Sequence, residues 1–305
     1  MPDNCEYKKV EIPCPLCSSE AFSILGTRGN REYFGADPKA EPHVWTNVVQ
    51  CKKCGFIYTN PQIYGLEFLE KEYYDDPQRY QAVNLSGITE MFEQRLSFIS
   101  GFKRGGKLLD IGAGKGEFLN KAKDQKWDVF GVEPSGKFCL YAKQVYSINI
   151  VKGFLGEESF QKSSFDLITL NHVLEHVDEP EKLLRLIKSF LKPDGIIYVE
   201  VPNTGTLMLK LADIYFRLKG LKWSSRLSPL HPPFHKYGYT KSSMAYVLHK
   251  SGFEILEFKT FSGKDRGYKY QKRSNVTKLK EFVSDFLDLL GNRELLGVIA
   301  TGKEL

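Results

Sequence analysis

The chain has 305 residues and carries 43 Lys and Arg against 37 Asp and Glu, with a formal net charge of +6. That length exceeds a typical single domain and allows a full hydrophobic core plus an accessory module. No run approaches the roughly 18 consecutive apolar residues of a membrane span, and Met1-Pro2-Asp3-Asn4-Cys5-Glu6 has no charged and then apolar leader, so a cytoplasmic protein without a membrane span is expected.

The first feature along the chain is a pair of C-x-x-C knuckles, Cys14-Pro15-Leu16-Cys17 and Cys51-Lys52-Lys53-Cys54-Gly55. Without a secretion signal this spacing reads as a metal site rather than disulfides. Four thiolates, Cys14, Cys17, Cys51 and Cys54, make a closed tetrahedral Zn2+ site, which holds a module together without activating water. Free buried cysteines or a redox pair are the alternatives. The intervening loop is longer than usual for a zinc ribbon, whereas Gly55 suits the tight turn after the second knuckle. Cys5 and Cys139 fall outside the pattern. A small zinc-ribbon-like module is expected over residues 1–61, ending near Asn60-Pro61-Gln62, with residues 62–305 as the main domain.

An aromatic-rich helical stretch over residues 68–74 and a helix over 89–102 lead into the main domain. Strands and helices then alternate: strand 107–111, helix 115–126, strand 128–133, helix 136–145, strand 165–170, helix 180–191, strand 195–201. Such alternation predicts an α/β fold with a parallel sheet covered on both faces. Leu183, Leu184, Ile187, Phe190 and Leu191 share one face of the helix from Pro180, the spacing of packing against a sheet. An insert at about 203–239 follows, rich in Leu, Tyr, Phe and Trp with interspersed Lys and Arg. It reads as a helical lid that shapes an acceptor pocket, or as a segment that lies on a membrane surface. Helix 241–251, strand 254–258, a basic segment over 259–280, helix 278–290 and a closing strand over 297–301 complete the chain. The basic segment is a solvated face or a patch that attracts phosphate.

The strand Leu108-Leu109-Asp110-Ile111 runs into Gly112-Ala113-Gly114-Lys115-Gly116, and Glu133 follows about 20 residues later at the end of the next strand. Gly112 and Gly114 let the backbone turn tightly and approach a ligand, and Glu133 can accept both ribose hydroxyls. A dinucleotide fingerprint wants Gly or Ala at position 117, where this chain has Glu. Asp110 would repel a pyrophosphate and favour a cation. S-adenosylmethionine, an adenosine joined to a sulfonium and an ammonium, fits that demand.

The stretch over 108–116 resembles motif I of the class I S-adenosylmethionine-dependent methyltransferases. Phe165-Asp166-Leu167-Ile168-Thr169-Leu170-Asn171-His172-Val173-Leu174-Glu175-His176 is similar to their fourth-strand motif, and residues 191–202 to the turn and fifth strand that follow. The resemblance implies a Rossmann-like, seven-stranded, mostly parallel sheet ending in an antiparallel hairpin. It implies cofactor contacts from Asp110, Gly112, Ala113, Gly114 and Glu133, with Asn171 and His172 lining the site. Phe154 can cover the adenine ring, and Tyr74 and Tyr80 can close over the cofactor.

For the acceptor, His235 resembles a histidine that many relatives carry at the pocket rim. It is read either as a base or as a residue that fixes its loop. His231 is a weaker alternative. His176 is a second catalytic candidate, although a structural or cofactor-side role suits the Glu175-His176 pair better. A four-cysteine module joined to this core resembles bacterial enzymes that methylate sugars of natural products and surface polysaccharides. Phe234 before His235, and the lack of a long extra C-terminal domain, favour oxygen over carbon methylation. The expected partner is a small-molecule or sugar acceptor that can bear phosphate. Ribosomal RNA methylation is the alternative, made less favourable by acidic tracts over 67–76 and 285–288 that interrupt a basic path for a backbone. A catalytically silent zinc-dependent scaffold is the third reading.

Overall fold

The structure, a computed structural model, describes residues 7–29, 44–65, 85–231, 233–262 and 293–302. The expected helices over 68–74 and 278–290, Tyr74, Tyr80, both acidic tracts and the basic segment beyond residue 262 lie outside them.

The main sheet is built from β6 (Gly106–Ile111), β7 (Trp127–Glu133), β8 (Val151–Lys152), β9 (Phe165–Asn171), β10 (Leu191–Pro202), β12 (Glu254–Phe261) and β13 (Leu295–Thr301). Its order is β12-β13-β10-β9-β6-β7-β8. The β9/β10, β6/β9, β6/β7 and β7/β8 pairs are parallel, while β13 is antiparallel to both β10 and β12. The expected seven-stranded, mostly parallel sheet with an antiparallel hairpin is therefore present. Phe165 to Leu170 are all buried, as are all seven residues of β13, which is why these strands read as nearly continuous apolar runs.

Helices α1 (Leu85–Ser100), α2 (Glu117–Asp124), α3 (Gly136–Tyr146), α4 (Pro180–Phe190) and α6 (Lys241–Lys250) accompany this sheet. Leu184, Ile187 and Phe190 of α4 are fully buried, as their spacing predicts. Leu191 begins β10 rather than ending α4. The register of β10 against β9 shifts between Leu191 and Ile196, across Lys192-Pro193-Asp194-Gly195, so the sequence turn lies inside an irregular strand start.

The cysteine-bearing segment forms β1 (Lys8–Val10) and β5 (Gln62–Tyr64), which pair with each other as a separate two-stranded sheet, and the antiparallel run of β2 (Phe22–Gly29), β3 (Trp45–Cys51) and β4 (Ile57–Thr59). The insert completes the latter sheet: β11 (Tyr237–Gly238) pairs antiparallel with β4, Tyr237 opposite Tyr58. A side chain at Gly238 would bring its Cβ within 2.7 Å of Thr204. Phe56 stacks on Tyr58 and Tyr237 and meets Tyr239 at a tilt. Cys14, Phe56 and Tyr58 share one buried cluster with Ile111, Leu174, Tyr239 and Met244, so the two sheets have a common core.

Within the insert, helix α5 (Leu207–Leu218) starts at Thr206, whose side chain accepts the Leu209 N–H. It is seated by Asp213, buried and 2.6 Å from Arg226, which also donates to the Thr204 carbonyl. Leu207, Met208, Leu211, Ile214, Tyr215 and Leu218 face outward. Six apolar residues of α5 therefore face solvent, while Leu209 and Phe216 are half-buried.

Candidate active site

The order of the main sheet reverses between β6 and β9, since the chain adds β7 and β8 on one side and β9 and β10 on the other. In open α/β sheets, ligands bind beyond the strand ends at such a switch point. Both sets of residues considered below for ligand and acceptor gather at this edge.

Gly112 and Gly114 follow β6 at φ +69° and +54°, a conformation that favours glycine. At Gly112 a Cβ would meet Val173 at 2.7 Å, so the turn must lack a side chain to lie against the segment after β9. At Gly114 no atom lies within 4 Å of a would-be Cβ, leaving open space above the backbone where a ligand can approach. Ala113 is buried and donates its N–H to the Val132 carbonyl. Glu133 Oε2 accepts from Gly114 N–H at 2.9 Å and Oε1 from Ser135 N–H at 2.8 Å, so the carboxylate is fixed in place while each oxygen keeps a second acceptor position. Burial raises the Glu133 pKa, and these two N–H donors oppose that.

Asp110 lies opposite Thr169 in the β6/β9 register. Its Oδ1 accepts from Thr169 Oγ1 at 2.6 Å and Asn171 Nδ2 at 3.2 Å. Burial pushes its pKa up to about 7 in spite of these two donors, and the nearby charge of Glu133 adds to the rise. Such a carboxyl is poised to ionise against a cation. Phe154 is 84% exposed and follows Gly153, whose N–H donates to the Glu133 carbonyl, which sets a bare aromatic ring beside the Glu133 strand end.

His172, at φ +57°, stands with Nδ1 3.2 Å from Glu175 Oε1 and Nε2 3.3 Å from Glu200 Oε1. Its ring thus bridges two buried carboxylates. Asn171 donates to Asp110, whereas His172 belongs to this second network. Arg95 Nε donates to Glu200 Oε2 at 2.8 Å, and Tyr198 Oη donates to the same oxygen at 2.7 Å. Burial would raise both carboxyls. The hydrogen bond and charge of His172, joined by Arg95 at Glu200 and by His235 and His176 at Glu175, hold each at about 2.

His176 and His235 come together although remote in sequence: their rings are 5.1 Å apart at 68°. His235 Nε2 is 3.7 Å from Glu175 Oε1. The loop before His235 is closed on Ser228, the His235 carbonyl accepting from Ser228 N–H and the His235 N–H donating to Ser228 Oγ. His231 is buried. Because Val173 touches the Gly112 turn, this histidine cluster adjoins the glycine loop.

Sequence reading missed Arg95, Tyr198 and Glu200. The signal was available: Arg95 interrupts the apolar stripe of Met91, Phe92, Leu96 and Ile99, and Glu200 sits inside Ile196-Ile197-Tyr198-Val199-Glu200-Val201. A charge on a core face needs a partner. Arg95→Leu is therefore expected to cost about 3–5 kcal/mol, because it leaves Glu200 buried with its main cation removed; urea unfolding measures the loss.

At the four cysteines, Cys14 Sγ is 3.5 Å from Cys54 Sγ, Cys17 Sγ is 3.5 Å from Cys51 Sγ, and all four sulfurs lie within 4.8 Å of one another. The knuckles are alike: Ser18 N–H donates to the Cys14 carbonyl and Gly55 N–H to the Cys51 carbonyl, with Ser18 and Gly55 both at positive φ. Sulfurs on a tetrahedral zinc at about 2.3 Å stand about 3.8 Å apart, so the set is close to that geometry.

Residues 82–257 match a family model described as a methyltransferase domain. A ubiquinone biosynthesis O-methyltransferase from Acinetobacter baylyi is 25% identical over 174 residues, 53% of this chain and 71% of that protein. One from Cupriavidus pinatubonensis is 23% identical over 199 residues, 62% and 78% of the two chains. Among solved structures, a SAM-dependent methyltransferase from Thermotoga maritima, described as a possible histamine N-methyltransferase, superposes with a TM-score of 0.52 at 18% identity, covering 77% of this chain and all of that one.

Proposed function

We propose, given that this chain belongs to the methyltransferase-domain family and is an S-adenosylmethionine-dependent methyltransferase, that it methylates a hydroxyl of a small-molecule or carbohydrate acceptor. The observation that carries this reading is the cluster of Glu175, His176 and His235 beside the glycine loop. An amine acceptor needs little more than deprotonation and positioning, whereas a hydroxyl of high pKa benefits from a built proton acceptor. The O-methyltransferase names of the two relatives agree with an oxygen acceptor.

The residues present fit the cofactor. Glu133 would take the ribose hydroxyls, the open backbone at Gly114 would allow close approach, Asp110 would meet the cationic amino-acid end, and Phe154 would cover the adenine face. S-adenosylmethionine, when bound, supplies a methyl group on a sulfonium that a nucleophile displaces in line. The chain's own work is to hold the acceptor oxygen on that line and to receive its proton at the His176 and His235 imidazoles, with the Glu175 carboxylate stabilising positive charge behind them. The four cysteines would hold a closed structural Zn2+ that takes no part in transfer. A cytoplasmic setting suits such an enzyme, and among the described residues no helix is long and apolar enough to cross a membrane.

Cofactor affinity should depend on pH through Asp110. Its folded pKa lies above the usual carboxylate value, so the folded protein keeps this proton up to about pH 7. Two consequences follow in sign. The site holds a charge for a cation only above that pH, and fold stability falls as pH rises from about 4 to about 7. Calorimetric titration should show affinity rising about tenfold from pH 6 to pH 8, and Asp110→Asn should flatten the profile.

The acceptor is tested by offering labelled S-adenosylmethionine and the purified protein to an extract of the cells that make it, half of it treated with ribonuclease. Label in a low-mass or polysaccharide fraction, released as methyl iodide by hydriodic acid, is the expected result. Label lost with ribonuclease, or resistant to hydriodic acid, overturns the hydroxyl reading.

A further inference from the structure

We propose that Glu175, His176 and His235 form a binding site for a divalent transition-metal ion at the acceptor pocket, separate from the four-cysteine site. One ligand atom from each of the three lies within 4.8 Å of the others. Cis ligands around a cation at about 2.1 Å stand about 3 Å apart, so the present 3.7 Å between His235 Nε2 and Glu175 Oε1 has to close by less than about 1 Å and the other pairs by less than about 2 Å. The second observation is independent of that spacing. Glu175 is completely buried, and its Oε2 has no hydrogen-bond partner among the described residues. A buried, partnerless carboxylate oxygen is costly, and a cation satisfies it.

The donor set indicates which ion. Two imidazoles and one carboxylate suit Mn2+, Fe2+, Co2+ or Zn2+ and leave coordination positions open. The surroundings have the form of a metal centre's outer shell: His172 meets Glu175 Oε1 through one ring nitrogen and Glu200 through the other, and Glu200 is held in turn by Arg95 and Tyr198. His172 is thus a positioning residue for the Glu175 carboxylate. This proposal rests on the reading that an acceptor hydroxyl meets the cluster. There, when bound, the cation would take over from the imidazoles, which become its ligands instead of proton acceptors, and would polarise the hydroxyl and lower its pKa. The balance is simple: the O–H proton leaves to solvent, the oxygen forms the new bond to methyl, and the methyl–sulfur bond breaks with its electron pair returning to sulfur as a neutral thioether.

Mn2+ is the probe, because it is paramagnetic and prefers oxygen and nitrogen donors to thiolates. Full-length protein with its cysteine site loaded with zinc is titrated with Mn2+, and free ion is read by electron paramagnetic resonance, with no acceptor present. One bound Mn2+ per chain is expected, with affinity weakened at least about tenfold in both Glu175→Gln and His235→Asn. S-adenosylmethionine affinity and melting temperature, measured on the same variants, show that they are folded. No bound Mn2+, or equal binding in folded variants, overturns the site and leaves the methyl-transfer reading standing. Mn2+ binding by a protein that labels no hydroxyl in the extract upholds the site and overturns the acceptor reading.

Discussion

Cys51→Ser is expected to reduce bound zinc from one ion per chain to nearly none and to lower the melting temperature by about 10 °C or more. A closed thiolate site contributes its binding free energy to folding, about 10–16 kcal/mol in isolated zinc-finger peptides. In this chain the loss would not stay local. Cys51 donates its N–H to the Phe56 carbonyl, and Phe56 packs on Tyr58, Tyr237 and Tyr239. Tyr237 is two residues from His235, so loosening the knuckle loosens the loop that presents the histidine. Methyl transfer should therefore fall along with zinc content, whereas S-adenosylmethionine affinity, which depends on Asp110, the glycine loop and Glu133, should fall less. Mass spectrometry of metal content with differential scanning calorimetry checks this. A Cys51→Ser protein that melts at the wild-type temperature would show that the cysteines are packing residues.

Glu175→Gln is expected to slow methyl transfer by a factor of about 10² to 10⁴ with S-adenosylmethionine affinity unchanged. The amide keeps the shape of the side chain and removes its charge. That charge faces His172, His176 and His235, so its removal destabilises the positive charge an imidazole takes on with the acceptor proton. His235→Ala should cost a similar factor, and the double variant little more than either alone, since the two act as one unit. The acid side follows from the same geometry. Glu175 and Glu200 are both held at about 2, so their contribution to stability is present above about pH 4.5 and is lost as pH falls toward 2. Glu175→Gln should flatten that part of the acid-unfolding curve. Turnover unchanged in Glu175→Gln, measured with saturating acceptor, would remove the cluster from the proton chemistry.

Much of the fold was legible because it rests on local rules. The glycine turn after Asp110, the stripe of α4 and the apolar runs of β9 and β13 each state their environment in a few neighbouring residues. So do the paired cysteine knuckles, although the matching turn at Ser18 carries no glycine to announce it. The positions of Asp110, Gly112, Gly114 and Glu133 at one sheet edge follow directly from the strand–turn–helix pattern.

What the sequence by itself determined is the α/β class with its alternating strands and helices, and the glycine loop, because hydrophobic period and glycine placement are read within a single element; the seven-stranded sheet with its antiparallel hairpin was what the resemblance implied, and its strand order came from the structure. Only the tertiary structure decided that β11 of the insert completes the sheet of β2, β3 and β4, that α5 turns most of its apolar residues outward, and that Arg95, His172, Glu175 and Glu200 form one buried network beside His176 and His235. Those arrangements depend on contacts between residues far apart in the chain, where a charge on an apolar face signals that a partner exists and only packing settles which one.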